Sequence, residues 1–314
     1  MDLVLDTNIY RNLVRDLSDD QILEITDKIK SRCEQDNIKL LFPINSAMEL
    51  IAHFNNQHLG ERKECRNALK VLVNLSTFYS SSHIHVDFVP PLNAILERYL
   101  FSNDDTHAKM YSEVITLAQK LIGNIQAEPD DKMIGYVETV KAQIEFEKRE
   151  IRDNYEDYLK SINGGNADWT YFNDDAQKKK REEFFRKLKN GTYSFLVAQS
   201  FIDRAHNITG QKITKDQEYL DKVVKFMQEF CPALVMNEQL LEKIGHGVEA
   251  IKDVEDRRWN TIIDISLIFG VLYNPSNSDK KLVTEENGIN SAFDICGFQN
   301  KIMRLADFRA LMGI

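Results

Sequence analysis

The sequence predicts an α/β protein: a small parallel sheet assembled from both ends of the chain, interrupted by a long all-helical segment. Three observations predict it. Short apolar runs ended by polar turns alternate with helical spacing over residues 1–99, that alternation disappears between about residues 100 and 250, and it returns near the C-terminus. The composition agrees with an ordered globular chain. Among 314 residues, 43% are apolar and 28% charged, with only 13 Gly and 6 Pro, so turn formers are scarce and long helices are favoured over a disordered chain, a collagen-like repeat or a β-sandwich.

Taken in order, Leu3-Val4-Leu5 reads as a buried strand that Asp6-Thr7-Asn8 ends, and Ile9, Leu13 and Leu17 carry the helical spacing that follows. Ser18 with Gln21 three residues later forms a capping-box signature for a helix running to about Asp36. Ile38 to Pro43 predicts the second strand, and Asn45 or Ser46 is placed to cap a helix over Ala47 to Asn55. A further helix is expected from Glu61 to Phe78. Ile84 to Val89 alternates as a third strand closed by Pro90-Pro91, with another helix from Leu92.

Beyond residue 100 the chain reads as a succession of amphipathic helices. The longest spans roughly Asp131 to Ser161, with Ile134, Val137, Val140, Ile144 and Ile151 near helical spacing, and Gly164-Gly165 breaks it. Helices are expected at about Asp174 to Lys189, Tyr193 to His206, Asp216 to Phe230 and Asn237 to Ile251. The α/β grammar then returns with a helix over Trp259 to Tyr273, a strand at Lys281 to Thr284, a helix at Ile289 to Cys296, a strand at Lys301 to Leu305 and a last helix at Ala306 to Met312. These readings divide the chain into a discontinuous α/β core, 1–99 with 252–314, and a helical insertion, 100–251. Neither end alone has enough strands to cover a sheet.

A formal net charge of −9 argues against a surface that coats nucleic acid nonspecifically, and it leaves room for an acidic pocket with a local basic patch. The opening Met1-Asp2-Leu3 has an acid where a signal peptide needs a basic region, and no run approaches the roughly 18 apolar residues of a membrane span. Cys33, Cys65, Cys231 and Cys296 lie far apart, with no C-x-x-C pair, so neither a zinc ribbon nor a disulfide scaffold is indicated. A cytoplasmic, reducing location without membrane contact is the expectation.

Ligands of open α/β sheets bind outside the carboxyl ends of the strands, so the acids there come first. Asp6 ends the first strand. Glu49 lies one turn into the helix after the second. Asp264 interrupts the apolar run Ile262 to Phe269, where a carboxylate is costly unless paired or metal-bound; Arg257 or Arg258 could supply the pairing. Glu285-Glu286 follow the fourth strand. Each has an ordinary structural explanation as a cap, a dipole partner or a solvated residue, and it is the joint arrangement that points to a site.

Those pieces resemble the PIN-domain nucleases. Leu3-Val4-Leu5-Asp6-Thr7-Asn8 is similar to the family's first strand ending in Asp-Thr-Asn/Ser, and Phe42-Pro43 through Ala47-Met48-Glu49-Leu50 to its strand-to-helix segment carrying a Glu. Ile263-Asp264-Ile265 resembles the helix with the third acid, and Leu282-Val283-Thr284-Glu285-Glu286 the Val-Thr-x-Asp strand end. The order matches over roughly residues 1–95 and 255–314. Two departures stand out: Glu286 occupies the place of an Asp, one methylene longer, and the helical insertion precedes the third acid. The resemblance implies a PIN-like core, whose strand order the pattern does not predict, and a metal-dependent endoribonuclease acting on single-stranded or structured RNA.

The chemistry is consistent with the residue types, because converging carboxylates need a cation and hard oxygen ligands select Mg²⁺ or Mn²⁺. Asp6, Glu49 and Asp264 are then expected as metal ligands and catalytic acids, Glu286 as an outer or water-mediated ligand, and Asn8 and Thr284 as groups that orient ligands or phosphate. Lys178, Lys179, Lys180 and Arg181 form a basic helix stretch that could hold a nucleic-acid backbone, and Trp169, Tyr171 and Phe172 a surface on which bases could stack; a solvated face and core packing are the ordinary readings. His83 and His85 read as an edge-strand pair. Asn8 stands where a phosphoaspartyl phosphatase would need a second Asp. A second reading is a non-catalytic PIN-like module whose insertion binds a protein or RNA partner. A toxin or a defence protein is a possible context for either reading.

Overall fold

The first strand, β1 (Asp2–Leu5), has Leu3, Val4 and Leu5 wholly buried, and it runs parallel to β2 (Lys39–Leu40) on one side and β7 (Lys280–Val283) on the other. β8 (Ile302–Met303) adds in parallel to β7. After Leu41 the chain continues as β3 (Phe42–Pro43), which pairs in parallel with β6 (Phe88–Val89). The Leu41 amide still donates to Leu3 O at 2.9 Å, whereas the Phe42 amide donates to Asp87 O at 2.8 Å. Segment 39–43 therefore passes from one partner to the other, and the strands succeed one another as β6, β2 with β3, β1, β7, β8. This is a computed structural model, and it describes residues 1–55, 58–79, 84–102, 108–123, 130–166, 174–245, 260–275 and 277–314.

That order starts at the centre, walks outward to one edge and returns to the opposite side of β1. The connections leaving β1 and β7 consequently diverge, and the crevice between their carboxyl ends is the place where such sheets take ligands. Strand residues alternate between two apolar layers: Leu3, Leu5, Leu40, Phe42 and Val283 enter one core, Val4, Leu41 and Leu282 the other. Burial on both faces is why these strands read as continuous apolar runs.

The first layer is built by α1 (Thr7–Val14), α2 (Asp19–Gln35), α3 (Ile44–Ala52), α4 (Leu59–Ser76) and α14 (Leu305–Met312); the second by α5 (Leu92–Phe101), α12 (Thr261–Leu272) and α13 (Asn287–Ile295). The capping box of Ser18 and Gln21 is present at the start of α2. Helix α3 departs from the expectation of a start at Ala47. It begins directly after Pro43, which serves as its N-cap without a side-chain bond, so neither Asn45 nor Ser46 caps it. Helix α4 stops at Ser76 because Thr77 opens β4 (Thr77–Tyr79), which pairs antiparallel with β5 (Ile84–Val86). The expected third strand is thus two pieces, β5 and β6, with different partners.

Between α5 and α12 the described residues form only helices: α6 (Ala108–Gly123), α7 (Asp131–Ile162), α8 (Lys178–Lys189), α9 (Thr192–Thr209), α10 (Gln217–Glu229) and α11 (Cys231–Gly245). Helix α11 starts earlier than expected, since Pro232 falls in its first turn, where the missing N–H costs nothing. These helices share the cores of the sheet. Tyr111, Leu121, Val137 and Val140 pack with Leu3 and Leu5, while Phe226, Phe230 and Ile202 pack with Val4 and Leu282. On α7 Val137 and Val140 are buried with Met133 and Ile144 partly buried beside them, and Ile134 is exposed.

Helix α12, which carries Asp264, is fixed on three sides. The Phe269 ring centroid lies 4.8 Å from that of Phe230, the Leu92 amide donates to Ser266 Oγ at 3.1 Å, and Gly270 lies so close to β6 that an added Cβ would sit 2.1 Å from Val89 Cγ1. A disulfide joins Cys231, at the start of α11, to Cys296, which caps α13. The spacing of the cysteines carried no sign of this bond: helix packing brings together two thiols separated by 65 residues, while Cys33 and Cys65 remain free and buried. Among the described residues no helix is long and apolar enough to cross a membrane. His83, Trp169, Tyr171, Phe172, Arg257, Arg258 and the side chain of His85 lie outside the described residues.

Candidate functional site

Asp6 leaves β1 and caps α1. Its Oδ1 accepts from the Ile9 amide at 3.0 Å, which is the ordinary N-cap duty of an Asp at a strand-to-helix turn. The other oxygen has no such explanation: the residue is 4% exposed, and Oδ2 is buried with no donor in full hydrogen-bond geometry, although the Thr284 hydroxyl lies beside the carboxyl. Burial pushes the Asp6 carboxyl up to about 6, against the Thr284 hydroxyl and the amides of Ile9 and Asn8, which pull it down; nearby Glu286 adds to the rise. A buried acceptor left unmatched costs stability, so this oxygen marks a place that a cation or proton would satisfy.

Glu49 reaches the same place from α3, where Met48, Leu50 and Ile51 bury the rest of that turn. Thr7 Oγ1 donates to Glu49 Oε2, so the first turn of α1 orients an acid from the neighbouring helix. Desolvation holds Glu49 above the usual carboxylate range, with Thr7, Lys148 and Arg11 opposing the shift. Asp264 arrives from α12. Its carboxyl is raised well above the ordinary value, first by burial and then by the charges of Glu49, Asp6 and Glu286. That repulsion is the effect expected of carboxylates brought near one another.

Glu285 and Glu286 separate at the end of β7. Glu285 Oε1 accepts from the Leu305 amide at 2.6 Å, at the start of α14, whereas Glu286 is exposed toward the acids and its Oε1 accepts from Asn8 Nδ2 at 2.7 Å. Thr284 is wholly buried, and its hydroxyl accepts from the Glu286 amide at 3.1 Å, so it braces the turn that delivers Glu286. Asp6, Glu49, Asp264 and Glu286 all line one cavity of about 1000 Å³.

Another part of the lining comes from α7, a contribution that reading the chain for strand-end acids does not find. Lys141, Glu145 and Lys148 line the cavity from positions spaced four and three apart, and Arg11 joins them from α1. Lys148 Nζ donates to Asn260 Oδ1 at 2.7 Å. Burial lowers its affinity for the proton, while Glu49, Glu145 and Asp264 raise it. Arg11 is bound to Glu64, with Nε 2.6 Å from Oε1. A signal for Lys148 was present: it falls beside the apolar line Val137, Val140, Ile144 and Ile151, where a charged residue needs a reason.

The basic stretch of α8 is elsewhere. Lys178, Lys179 and Lys180 are exposed, Arg181 is half-buried, none lines the cavity, and Phe184 and Leu188 of the same helix pack with Tyr155, Tyr193 and Leu241. The structure therefore brings together Asp6, Asn8, Glu49, Asp264 and Glu286 at the cavity, with Thr284 behind it, and leaves Lys178 to Arg181 on another face.

As a donor set the acids offer hard oxygens of the kind Mg²⁺ or Mn²⁺ selects, and the unmatched Asp6 Oδ2 gives such an ion a vacant partner. Among the described residues no group of three or more His, Cys, Asp or Glu is drawn together closely enough to form a ready coordination sphere. Glu49 is held by Thr7 and Glu286 by Asn8, so each of these carboxylates has a hydrogen-bond partner of its own. Compared with known proteins, the chain matches no family model, no curated protein and no solved structure.

Proposed function

We propose that the protein is a metal-dependent endoribonuclease with a PIN-like α/β core, whose acids at the strand ends hold Mg²⁺ or Mn²⁺. One observation carries the reading: Asp6, Glu49, Asp264 and Glu286 come from four separate elements to one cavity, three of them with raised proton affinity. Such crowding costs stability and serves no packing purpose, which is the signature of a site kept for chemistry.

Asp6, Glu49 and Asp264 would hold the ion, Glu286 would act at its outer edge, and the ion would supply charge neutralisation of a phosphate and a water of lowered pKa. The chain's own part is positioning. Thr7 aims Glu49, Asn8 aims Glu286, and the cap bond from the Ile9 amide fixes Asp6 through Oδ1. The long Glu286 side chain begins two residues beyond the Thr284 brace, which suits a more distant, water-mediated role. A cytoplasmic location fits the free, buried Cys33 and Cys65, and the Cys231–Cys296 bond is the feature that argues for an oxidising one.

The test is incubation of purified protein with single-stranded RNA in Mg²⁺ or Mn²⁺, beside Asp6→Asn and Asp264→Asn. Metal-dependent cleavage by the wild type that both variants lose is the expected result. Equal products from all three, or no cleavage with either metal, would leave the non-catalytic partner-binding module as the better reading.

A further inference from the structure

We propose that α7 supplies the substrate-binding wall of this cavity: Lys148 and Lys141 bind the phosphates of a single-stranded nucleic acid laid along that helix. The inference rests on the reading of the cavity as a phosphodiester site and names the part of the chain that selects the substrate. Its first support is placement. Lys141 and Lys148 both line the cavity, seven residues apart on neighbouring positions of one face, which separates them by about 10 Å along the helix. Two cations so spaced can engage two phosphates of one strand.

The second support is the state of Lys148. It is half-buried beside Glu49 and Asp264, yet among the described residues its hydrogen bond goes to the neutral amide oxygen of Asn260, and it closes no ion pair on the acids. Arg11, by contrast, is committed to Glu64 and Glu61. A lysine kept near carboxylates without being spent on them is available to an incoming anion. The helix itself is anchored, since Val137 and Val140 are buried in the core shared with β1, so the wall is rigid.

The third support is shape. The acids are recessed, with Asp6 only 4% exposed at the floor of a cavity of about 1000 Å³ between α3, α7 and α12. A flexible strand can turn a phosphate down into such a recess. A duplex holds its phosphates on the outside of a stiff cylinder and cannot.

Binding is measured by fluorescence anisotropy with a labelled single-stranded RNA oligonucleotide in EDTA, so that no turnover occurs, at several salt concentrations. Wild type, Lys148→Ala, Lys148→Arg and Lys141→Ala are compared, each checked by circular dichroism. The expected result is about tenfold weaker binding for each Ala variant, the strength of a lost charge-assisted bond. The slope of log affinity against log salt should fall by about 0.7 per lost phosphate. Lys148→Arg should bind at least as well as wild type, and a duplex of the same sequence at least tenfold more weakly.

Lys148→Ala with wild-type affinity and salt slope would make Lys148 a counterion of the acids only and overturn the inference. Equal affinity for the duplex, or no binding by the wild type at low salt, would overturn it too. Binding that depends on Lys148 in a protein that cleaves no RNA would keep the inference and sink the nuclease reading, so the two failures are distinguishable.

Discussion

Removing the charge at Asp6 should stabilise the metal-free protein, although the residue is a helix cap. The folded carboxyl titrates at about 6 and its ordinary value is 3.8, with burial the main cause and Glu286 contributing. Between those values the folded chain binds more protons than the unfolded one, so stability falls as pH rises from about 4 to 6 and stays low above that range. The gap corresponds to about 3 kcal/mol at neutral pH. With Asp6 4% exposed, solvent screening takes little from that figure. Asn caps helices as well as Asp does, so the bond to the Ile9 amide survives the substitution. Asp6→Asn is therefore expected to gain about 2–3 kcal/mol in urea unfolding near pH 7.5 in EDTA. Near pH 5, where the folded carboxylate is mostly protonated, the gain should shrink to roughly half. Added Mn²⁺ should stabilise the wild type, by about 2.7 kcal/mol at a hundredfold excess over its Kd, and not the variant. A variant less stable than wild type at pH 7.5, or a gain that is the same at pH 5, would refute the reasoning.

Gly270→Ala should destabilise the fold by about 1–3 kcal/mol, because its Cβ would meet Val89 of β6 at 2.1 Å; a thermal melt reads the loss. The displaced α12 should also weaken Mn²⁺ binding through Asp264. Thiol titration in denaturant without reductant should find two free cysteines, Cys33 and Cys65, of the 4 in the chain, and all of them after reduction. Cys231→Ser should lose about 4 kcal/mol in urea unfolding, the chain-entropy value for a separation of 65 residues.

What could be read in advance follows from the range of the interactions. Local signals carried the elements: the capping box at Ser18, the polar stop after Leu5 and the apolar spacing of α9 and α10 depend on neighbours within a few residues. Boundaries went astray where a distant partner decided them. The stretch 39–43 divides because Leu41 answers Leu3 and Phe42 answers Asp87, and α4 ends at Ser76 because Thr77 pairs with Val86. The acids were visible as polar residues at strand ends, but Asn8 meets Glu286 across 278 residues and Lys148 meets Asn260 across 112. No local pattern encodes such pairs. The basic stretch at Lys178 attracted notice by composition alone, whereas the cations at the cavity, Lys141 and Lys148, are single residues among acids on α7.

The central claim is that the acids at the ends of β1 and β7 and on α3 and α12 share one divalent ion. Calorimetric titration of Mn²⁺ into the metal-free protein at neutral pH, repeated in buffers of different ionisation enthalpy, tests it most directly. Saturable binding with proton release, since raised carboxyls must ionise to take the ion, and loss of that binding in both Asp6→Asn and Asp264→Asn, is the predicted result. No saturable Mn²⁺ binding, or binding that survives both substitutions unchanged, would contradict the account.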